Sequence, residues 1–436
     1  MKKYLWIAVL FFPLFGEALK DNNITSASHT YSVTSYLKLL LTTDLEYRDR
    51  TLESKVLALE SLIEQSRYNP DIYLEGTVMA DNNLDVEKTR QSTELEAVGK
   101  VHFNMRLYDA QRFYYTSQRE QLFKALSDQE LIDATERLQL MGIQIYAELM
   151  QIQQTIAQYN ALLIYQKRIT KLAITRSEKG LGGIYDRTQA QNDMLNIRLR
   201  LTELKELLIQ KEYLFRQSID SDSTGVIELQ AIQYKTLTDS LKELQYSALS
   251  SNAHLNFIQK QYELSRSDVE TEKARDGLAL DWRSHVGYGY IEELDKPRRS
   301  DDDIVWFAGL SLKYPLYERN NIALNVEQKK VQALQAKNSV NIEKRTLNRT
   351  VNRLYNSLRK YQIKDELYRQ QKEVLTERTT TTYNRYKEAL ETYKPYSDSL
   401  RDMAQSDELS IRNAILVDVT TLQLYIVTGR YLLEQD

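Results

Sequence analysis

Cysteine is absent from the 436 residues, which removes disulfides, thiolate metal sites and cysteine nucleophiles together. Glycine and proline are scarce, at thirteen and five, about a third of ordinary usage. That scarcity excludes a loop-rich all-β protein, a collagen-like chain and a Gly-rich linker, and it favours very long helices. Neither sign of charge is in excess: 58 Lys and Arg stand against 61 Asp and Glu, for a net charge of −3. A nucleic-acid binder would show a basic patch and a high pI, so that class is set aside. The four histidines (His29, His102, His254 and His285) are scattered and make no HExxH or other ligand spacing. No metal or cofactor is expected.

Long apolar runs are also missing, with one exception at the N-terminus. Lys2 and Lys3 precede the apolar run Tyr4 to Phe15, and Gly16 and Ala18 stand at −3 and −1 of a cleavage site. The pattern predicts a signal peptide over 1–18, cleaved between Ala18 and Leu19. As a helix this run spans roughly 18 Å, short of the ~30 Å hydrocarbon core. No cysteine follows it, so lipoprotein acylation is impossible. Beyond residue 18 no stretch is long enough for a membrane helix, so any membrane contact falls to β-strands.

What the chain has instead is helix. Ala110 to Lys179 contains one glycine (Gly142) and no proline, and Leu316 to Lys394 contains neither. A helix of about 70 residues is roughly 100 Å long, thicker than any single-core domain. Ile145, Leu149, Ile152, Ile156, Tyr159 and Leu163 step 4-3-4-3-4. Leu347, Val351, Leu354, Leu358 and Tyr361 keep that step, as do Ile197, Leu201, Leu204, Leu208, Lys211 and Phe215. These are coiled-coil seams, and they are read as packing.

Between the helices lie two pairs of segments with period two: about 71–79 with 98–108, and about 281–291 with 304–315. Phe103, Met105, Leu310 and Leu312 fall on apolar faces, and Lys100, His102, Asn104 and Ser311 on polar ones. Tyr73, Tyr108, Trp282, Tyr290, Tyr314 and Tyr317 gather near the segment ends, as an interfacial girdle requires. The segments match transmembrane strands in length. Ala80–Glu94 and Glu292–Asp303 between them read as polar exterior loops. Leu107-Tyr108-Asp109 matches Leu316-Tyr317-Glu318, and Gly180-Leu181 matches Ala389-Leu390, both at an offset of 209. The mature chain therefore divides into repeats over 19–218 and 219–436. The first carries a long helix over about 109–179 and a return helix over about 184–217; the second carries them over about 317–390 and 396–433. Four strands cannot close a barrel, and open edges are not tolerated in hydrocarbon, so the chain must oligomerise. Asp301-Asp302-Asp303 and similar clusters read as solvation, and GLGG at 180–183 lacks the Lys-Ser/Thr of a phosphate loop. No catalytic constellation is present, and the chain is read as a non-enzyme.

With these residues in view, the sequence resembles the TolC-like outer-membrane efflux protein family over essentially its mature length. Pro315-Leu316-Tyr317-Glu318 matches the family's strand-exit motif, whose first copy, Arg106-Leu107-Tyr108-Asp109, lacks the proline. Gly180 and Asp186 match its helix-turn motif; the second half departs, with Ala389 and Pro395 at those positions, while Tyr386 and Asp398 still fit. The resemblance implies an α+β membrane protein of the Gram-negative outer membrane. It would be a homotrimer with a 12-stranded β-barrel in lipid, continuous with a periplasmic α-helical barrel. It also implies partners: a periplasmic adaptor and an inner-membrane pump of RND or ABC type, serving small-molecule efflux or type I protein secretion. By motif position Asp186, Tyr386, Glu391 and Asp398 would form the entrance constriction, with Gly180, Gly182, Gly183 and Pro395 at the helix-break turns. Glu391 stands where a basic residue is common, so its salt bridge would be missing or rebuilt through Arg187 or Lys394. The competing reading is a periplasmic coiled-coil scaffold or adaptor without a pore.

Overall fold

In the computed structural model the described residues are 29–66, 68–85, 90–180, 182–222, 225–234, 237–293, 300–314 and 321–430. The signal-cleavage residues Ala18 and Leu19, and the motif Pro315-Leu316-Tyr317-Glu318, lie outside them.

The first series of elements is β1 (His29–Tyr31), α1 (Val33–Thr43), α2 (Leu45–Ser66), β2 (Asp71–Asp85), β3 (Arg90–Tyr108), α3 (Arg112–Glu178) and α4 (Ile184–Ser218). The second repeats it: β4 (Ile227–Leu229), α5 (Leu241–Ser251), α6 (Ala253–Lys273), β5 (Ala279–Glu293), β6 (Ser300–Lys313), α7 (Asn321–Lys387) and α8 (Tyr393–Val427). Helices α3 and α7 are each 67 residues long, and α4 and α8 each 35. Local chemistry repeats with them. Ser32 caps α1 in a capping box with Ser35, and Ser240 caps α5 in one with Glu243. The α1–α2 break is held by Asp44, whose Oδ1 accepts from Tyr47 N at 2.7 Å. The α5–α6 break is held by Asn252, whose Oδ1 accepts from Leu255 N at 3.0 Å. After the long helices the chain turns through left-handed residues, Gly180 (φ 69°) and Ala389 (φ 62°).

The predicted seams are packed. Leu149, Ile152, Leu201, Leu204, Phe215, Leu347, Val351 and Leu358 are all buried. One core lies midway along the molecule, where α1 and β4 close over α3, α4 and α8. There Tyr36 stacks on Phe215 at 4.3 Å, and Tyr146 donates its hydroxyl to the carbonyls of Tyr31 and Gln230. Gly142 makes this approach possible: a Cβ on it would fall 2.6 Å from a methyl of buried Leu37 and 2.7 Å from one of Leu40. The repeat-related core joins α5, α7 and α8 around Leu244, Leu347, Val351 and Leu424. A third, at the far end of the hairpins, sets Tyr386, Tyr393 and Tyr396 among Ile169, Ala173, Ala190 and Leu400. The initial helices split in two and the parallel β1–β4 pair went unread in the sequence.

The sheet is antiparallel in the order β2-β3-β5-β6. Its central β3–β5 pairing joins the two repeats, and β2 and β6 are its edges. The strands are longer than the alternation indicated. The ladder runs on to Asp85↔Arg90 and Glu292↔Ser300, through segments read above as exterior loops. Main-chain pairing in a hairpin continues whatever the side chains once the base sets the register. At ~3.3 Å per residue, strands of 15 and 19 residues are about 50–60 Å long, more than a ~25 Å apolar band needs even at a tilt of about 40°.

Candidate duct: the two-faced sheet and the helical tip

Register sorts the sheet into two faces. One carries Ile72, Leu74, Val78, Val101, Phe103, Met105, Trp282, Val286, Ile304, Trp306, Leu310 and Leu312. Many of these are bare: Leu74 is 77% exposed, Trp306 73% and Leu312 67%. The opposite face carries Tyr73, Glu75, Lys100, His102, Asn104, Arg106, Asp281, Arg283, His285 and Ser311. Arg106 and Asp281 pair there at 2.9 Å. Tyr73, counted with the girdle aromatics above, belongs to the polar face, because its register partner is His102.

On the polar face one rung holds four rings, one from each strand. Tyr73 stacks on His102 at 4.6 Å and 4°, His102 meets His285 at 5.1 Å, and His285 stacks on Phe307 at 5.5 Å. Glu75 Oε2 lies 2.8 Å from His102 Nε2, off the line of a hydrogen bond, so the imidazole nitrogen is buried without a hydrogen-bond partner. These histidines looked scattered because they are 183 positions apart in the chain; only strand pairing brings them together.

The other end of the molecule is the tip, where α3 turns into α4 and α7 into α8. Asp186, in the first turn of α4, is buried, and its Oδ1 accepts from Tyr393 N at 3.3 Å, at the start of α8. It thus serves one of the orphan donors at the other hairpin's helix start. Arg176 lies 4.7 Å over the ring of buried Tyr386 and donates to the Tyr386 carbonyl. Burial pushes the Tyr386 phenol above its ordinary range, with the Arg176 charge opposing. Tyr393 and Tyr396 are shifted up by burial as well. Asp193, one heptad beyond Asp186, accepts from Tyr393 Oη at 3.0 Å and Ser397 Oγ at 2.5 Å. Sequence reading missed it, though its spacing from Asp186 on the same helix face was a usable signal.

Of the predicted tip set, Asp186 and Tyr386 come together against Tyr393. Asp398 is partly exposed and paired with Lys394 at 2.7 Å, with Arg401 at 3.9 Å. Glu391 pairs with Arg385 at 3.5 Å, so the ion pair is rebuilt through neither Arg187 nor Lys394. The turn residues need correcting too. Of the three glycines named there, Gly180 alone takes positive φ. Gly183 is the extended N-cap of α4, and Gly182 lies beside Arg176. Pro395 is inside α8, two residues after its first residue Tyr393, where a missing N–H costs nothing.

Among the described residues no group of acidic or histidine side chains could hold a metal ion, and no helix is long and apolar enough to cross a membrane.

No protein-family model matches the chain, and no curated protein matches it. Solved structures do match, in fold. CusC, described as undergoing folding and transmembrane channel formation, superposes with a TM-score of 0.77 at 12% identity, over 91% of this chain and 92% of its own. The outer membrane protein VceC from Vibrio cholerae gives 0.76 at 13%, over 91% and 96%. The MtrE outer membrane channel of Neisseria gonorrhoeae, in its open state, gives 0.75 at 12%, over 91% and 88%. The resemblance read from the sequence therefore holds as a likeness of fold along nearly the whole chain.

Proposed function

We propose that the chain is the outer-membrane exit duct of an export system: a passive pore, joined to a hollow helical tube, assembled from three copies. The observation that carries this reading is the two-faced sheet. Apolar side chains this exposed on a four-stranded surface with free edges suit lipid, where water-soluble sheets cover such a face. The same bare face disfavours the coiled-coil scaffold, whose hairpins would have to bury it.

The internal repeat supports a ring of copies. Within the chain, α6 lies between α7 of its own repeat and α3 of the other, with Arg119–Asp268 and Asp133–His254 contacts along it. The equivalent helix α2 touches α3, and its outer stripe is bare: Leu45, Leu52, Val56, Leu59 and Ile63 are all exposed. Applying the same relation between chains lays this stripe on α7 of a neighbour, along Val331, Leu334 and Ile342, which are exposed as well. It also pairs edge strand β6 with the neighbour's β2. Such a head-to-tail contact closes into a ring, and the choice of three copies comes from the TolC-like resemblance.

In this reading the polar sheet face lines the pore and the tips form the entrance facing the pump. Energy for transport comes from an inner-membrane pump through a periplasmic adaptor, and the cargo is small toxic molecules or unfolded polypeptide. The packing of Asp186, Tyr386 and Tyr393 supports a narrow tip. Asp186→Ala combined with Tyr386→Phe is expected to raise single-channel conductance, and a parent-like value would place the constriction elsewhere. Asp398, named with this set, is paired with Lys394, which offsets the negative charge it would bring to the entrance. The duct itself is tested by fractionation. The protein should resist carbonate extraction and run as a heat-modifiable oligomer, whereas a carbonate-soluble monomer would overturn the proposal.

A further inference from the structure

Beside the tyrosines of the tip, a cleft of about 300 Å³ opens between α3, α7 and α8. All of its walls come from one chain, so it does not depend on the ring proposed above. Leu162 and Tyr165 from α3, Tyr383 from α7, and Tyr396, Leu400 and Met403 from α8 form them. The Tyr165 and Tyr383 rings lie 6.4 Å apart, edge to face, and those of Tyr383 and Tyr396 5.9 Å apart. Sites for small organic molecules start at about this volume, with mostly apolar walls and a few convergent polar groups.

The threonines of the wall donate to main-chain carbonyls: Thr376 to that of Lys372, Thr380 to that of Thr376, and Thr379 to that of Ser399. Two lining residues are left over. Tyr396 is fully buried, yet its hydroxyl has no hydrogen-bond partner, and neither has the buried Oε1 of Gln158. The Gln158 carboxamide is held by a long 3.4 Å contact from its Nε2 to the Ala404 carbonyl. Buried polar atoms are almost always paired, and an orphan beside a cavity is a cost that an occupant can relieve. Gln158 stands level with Ala404, eight residues along α8 from Tyr396, so the two residues are set roughly 12 Å apart along the helix. Asp407, the charged residue of the lining, is paired with Lys372 at 3.2 Å. The walls therefore present no unpaired charge.

Packing of one hairpin on the other does not account for the rings. At the positions related to Tyr165, Tyr383 and Tyr396 by the offset of 209 stand Val374, Ile174 and Arg187. A packing requirement shared by the repeats would have put like side chains at both.

We propose that this cleft is a binding site for an elongated, neutral diaryl molecule that carries a hydrogen-bond donor at one end and an acceptor along its length. Its rings lie among Tyr165, Tyr383 and Met403. Its donor meets Gln158 Oε1 once the carboxamide swings off the Ala404 carbonyl, and its acceptor takes the Tyr396 hydroxyl. The proposal goes beyond the duct reading and does not rest on it.

The test is photolabelling of the purified full chain with para-benzoylbenzamide, followed by mass spectrometry of its peptides. Under near-ultraviolet light the ketone of this probe attaches to C–H bonds that it touches. Para-benzoylbenzoate, of the same shape but anionic, is the control. In the parent the label should concentrate on the lining stretches of α3, α7 and α8, with the amide about fivefold or more above the acid. Gln158→Leu nearly keeps the side chain's size and removes the acceptor. It should lower amide labelling about fivefold, the size of one neutral hydrogen bond. Thr380→Trp, at an exposed position of the lining, should fill the cleft and abolish labelling with unchanged circular dichroism. Label scattered along the chain, equal labelling by amide and acid, or parent-like labelling in either variant overturns the site. None of these readouts involves conductance, so a failure of the pore reading leaves the test standing.

Discussion

Glu136 shows how a single buried carboxyl couples this fold to pH. It lies in α3 with 4% of its surface exposed, and accepts from Asn252 Nδ2 at 2.9 Å and Ala253 N at 3.2 Å, where α5 breaks into α6. Burial pushes it up to about 7, opposed by the Ala253 hydrogen bond and reinforced by Asp133. The folded chain therefore holds this proton at pH values where the unfolded chain has lost it, and stability falls as pH rises from about 4.5 to about 7. The full effect is on the order of 3 kcal/mol. Neighbouring His254, raised chiefly by its hydrogen bond to Asp133, acts in the same direction: its contribution is complete below the ordinary imidazole value and is lost as pH climbs through the raised one. The thermal midpoint should accordingly drop between pH 4.5 and 7, and Glu136→Gln should flatten most of that slope. An unchanged slope in the variant would assign the pH dependence to other groups.

At the scale of elements, the strand register can be tested by two adjacent substitutions. Leu310 opposes Trp282 on the apolar face, and Ser311 opposes Asp281 on the polar one. An arginine facing lipid at mid-membrane costs about 2–4 kcal/mol and far less facing the lumen, and the proposed trimer would bear it three times. Leu310→Arg should therefore lower the yield of heat-stable oligomer sharply while Ser311→Arg is tolerated; equal yields would refute the register. This alternation was legible in the sequence because period two needs only local side-chain chemistry. The heptad seams were legible for the same reason, and Leu149, Leu204 and Val351 are buried where their spacing placed them. What could not be read locally depends on the partner strand or helix. The hairpins outrun their apolar segments because pairing is set by the backbone, and His102 meets His285 only through the β3–β5 register. Pro395 looked like a turn residue, yet the first turn of a helix accepts proline equally well. Glu391, whose ion pair was expected to be missing or rebuilt through Arg187 or Lys394, meets Arg385 instead, since the bend after α7 brings the end of that helix back over it.

For the whole molecule, the unpaired surfaces are where assembly is decided. The bare stripe of α2 and its proposed seat on α7 follow from comparing equivalent positions in the two repeats. Asp133 of α3 is 2% exposed because α6 covers it; Ile342, its counterpart on α7, is 63% exposed. In the proposed ring, the cover that the second repeat lacks comes from another copy of the chain. Burying a leucine side chain is worth roughly 1.5–3 kcal/mol, and a closed trimer has three such interfaces. Charged residues within that stripe, through Leu52→Glu and Leu59→Glu together, should abolish the oligomer. They should do so without disturbing the chain's own cores, since neither side chain is buried in the protomer. The expected result in detergent is a helical monomer by circular dichroism and light scattering, with no heat-modifiable band and no conductance. Ile342→Glu, on the other side of the same contact, should do likewise. A trimer that survives all three changes would place the subunit contact on another face of the helices and break the repeat relation from which this interface is drawn.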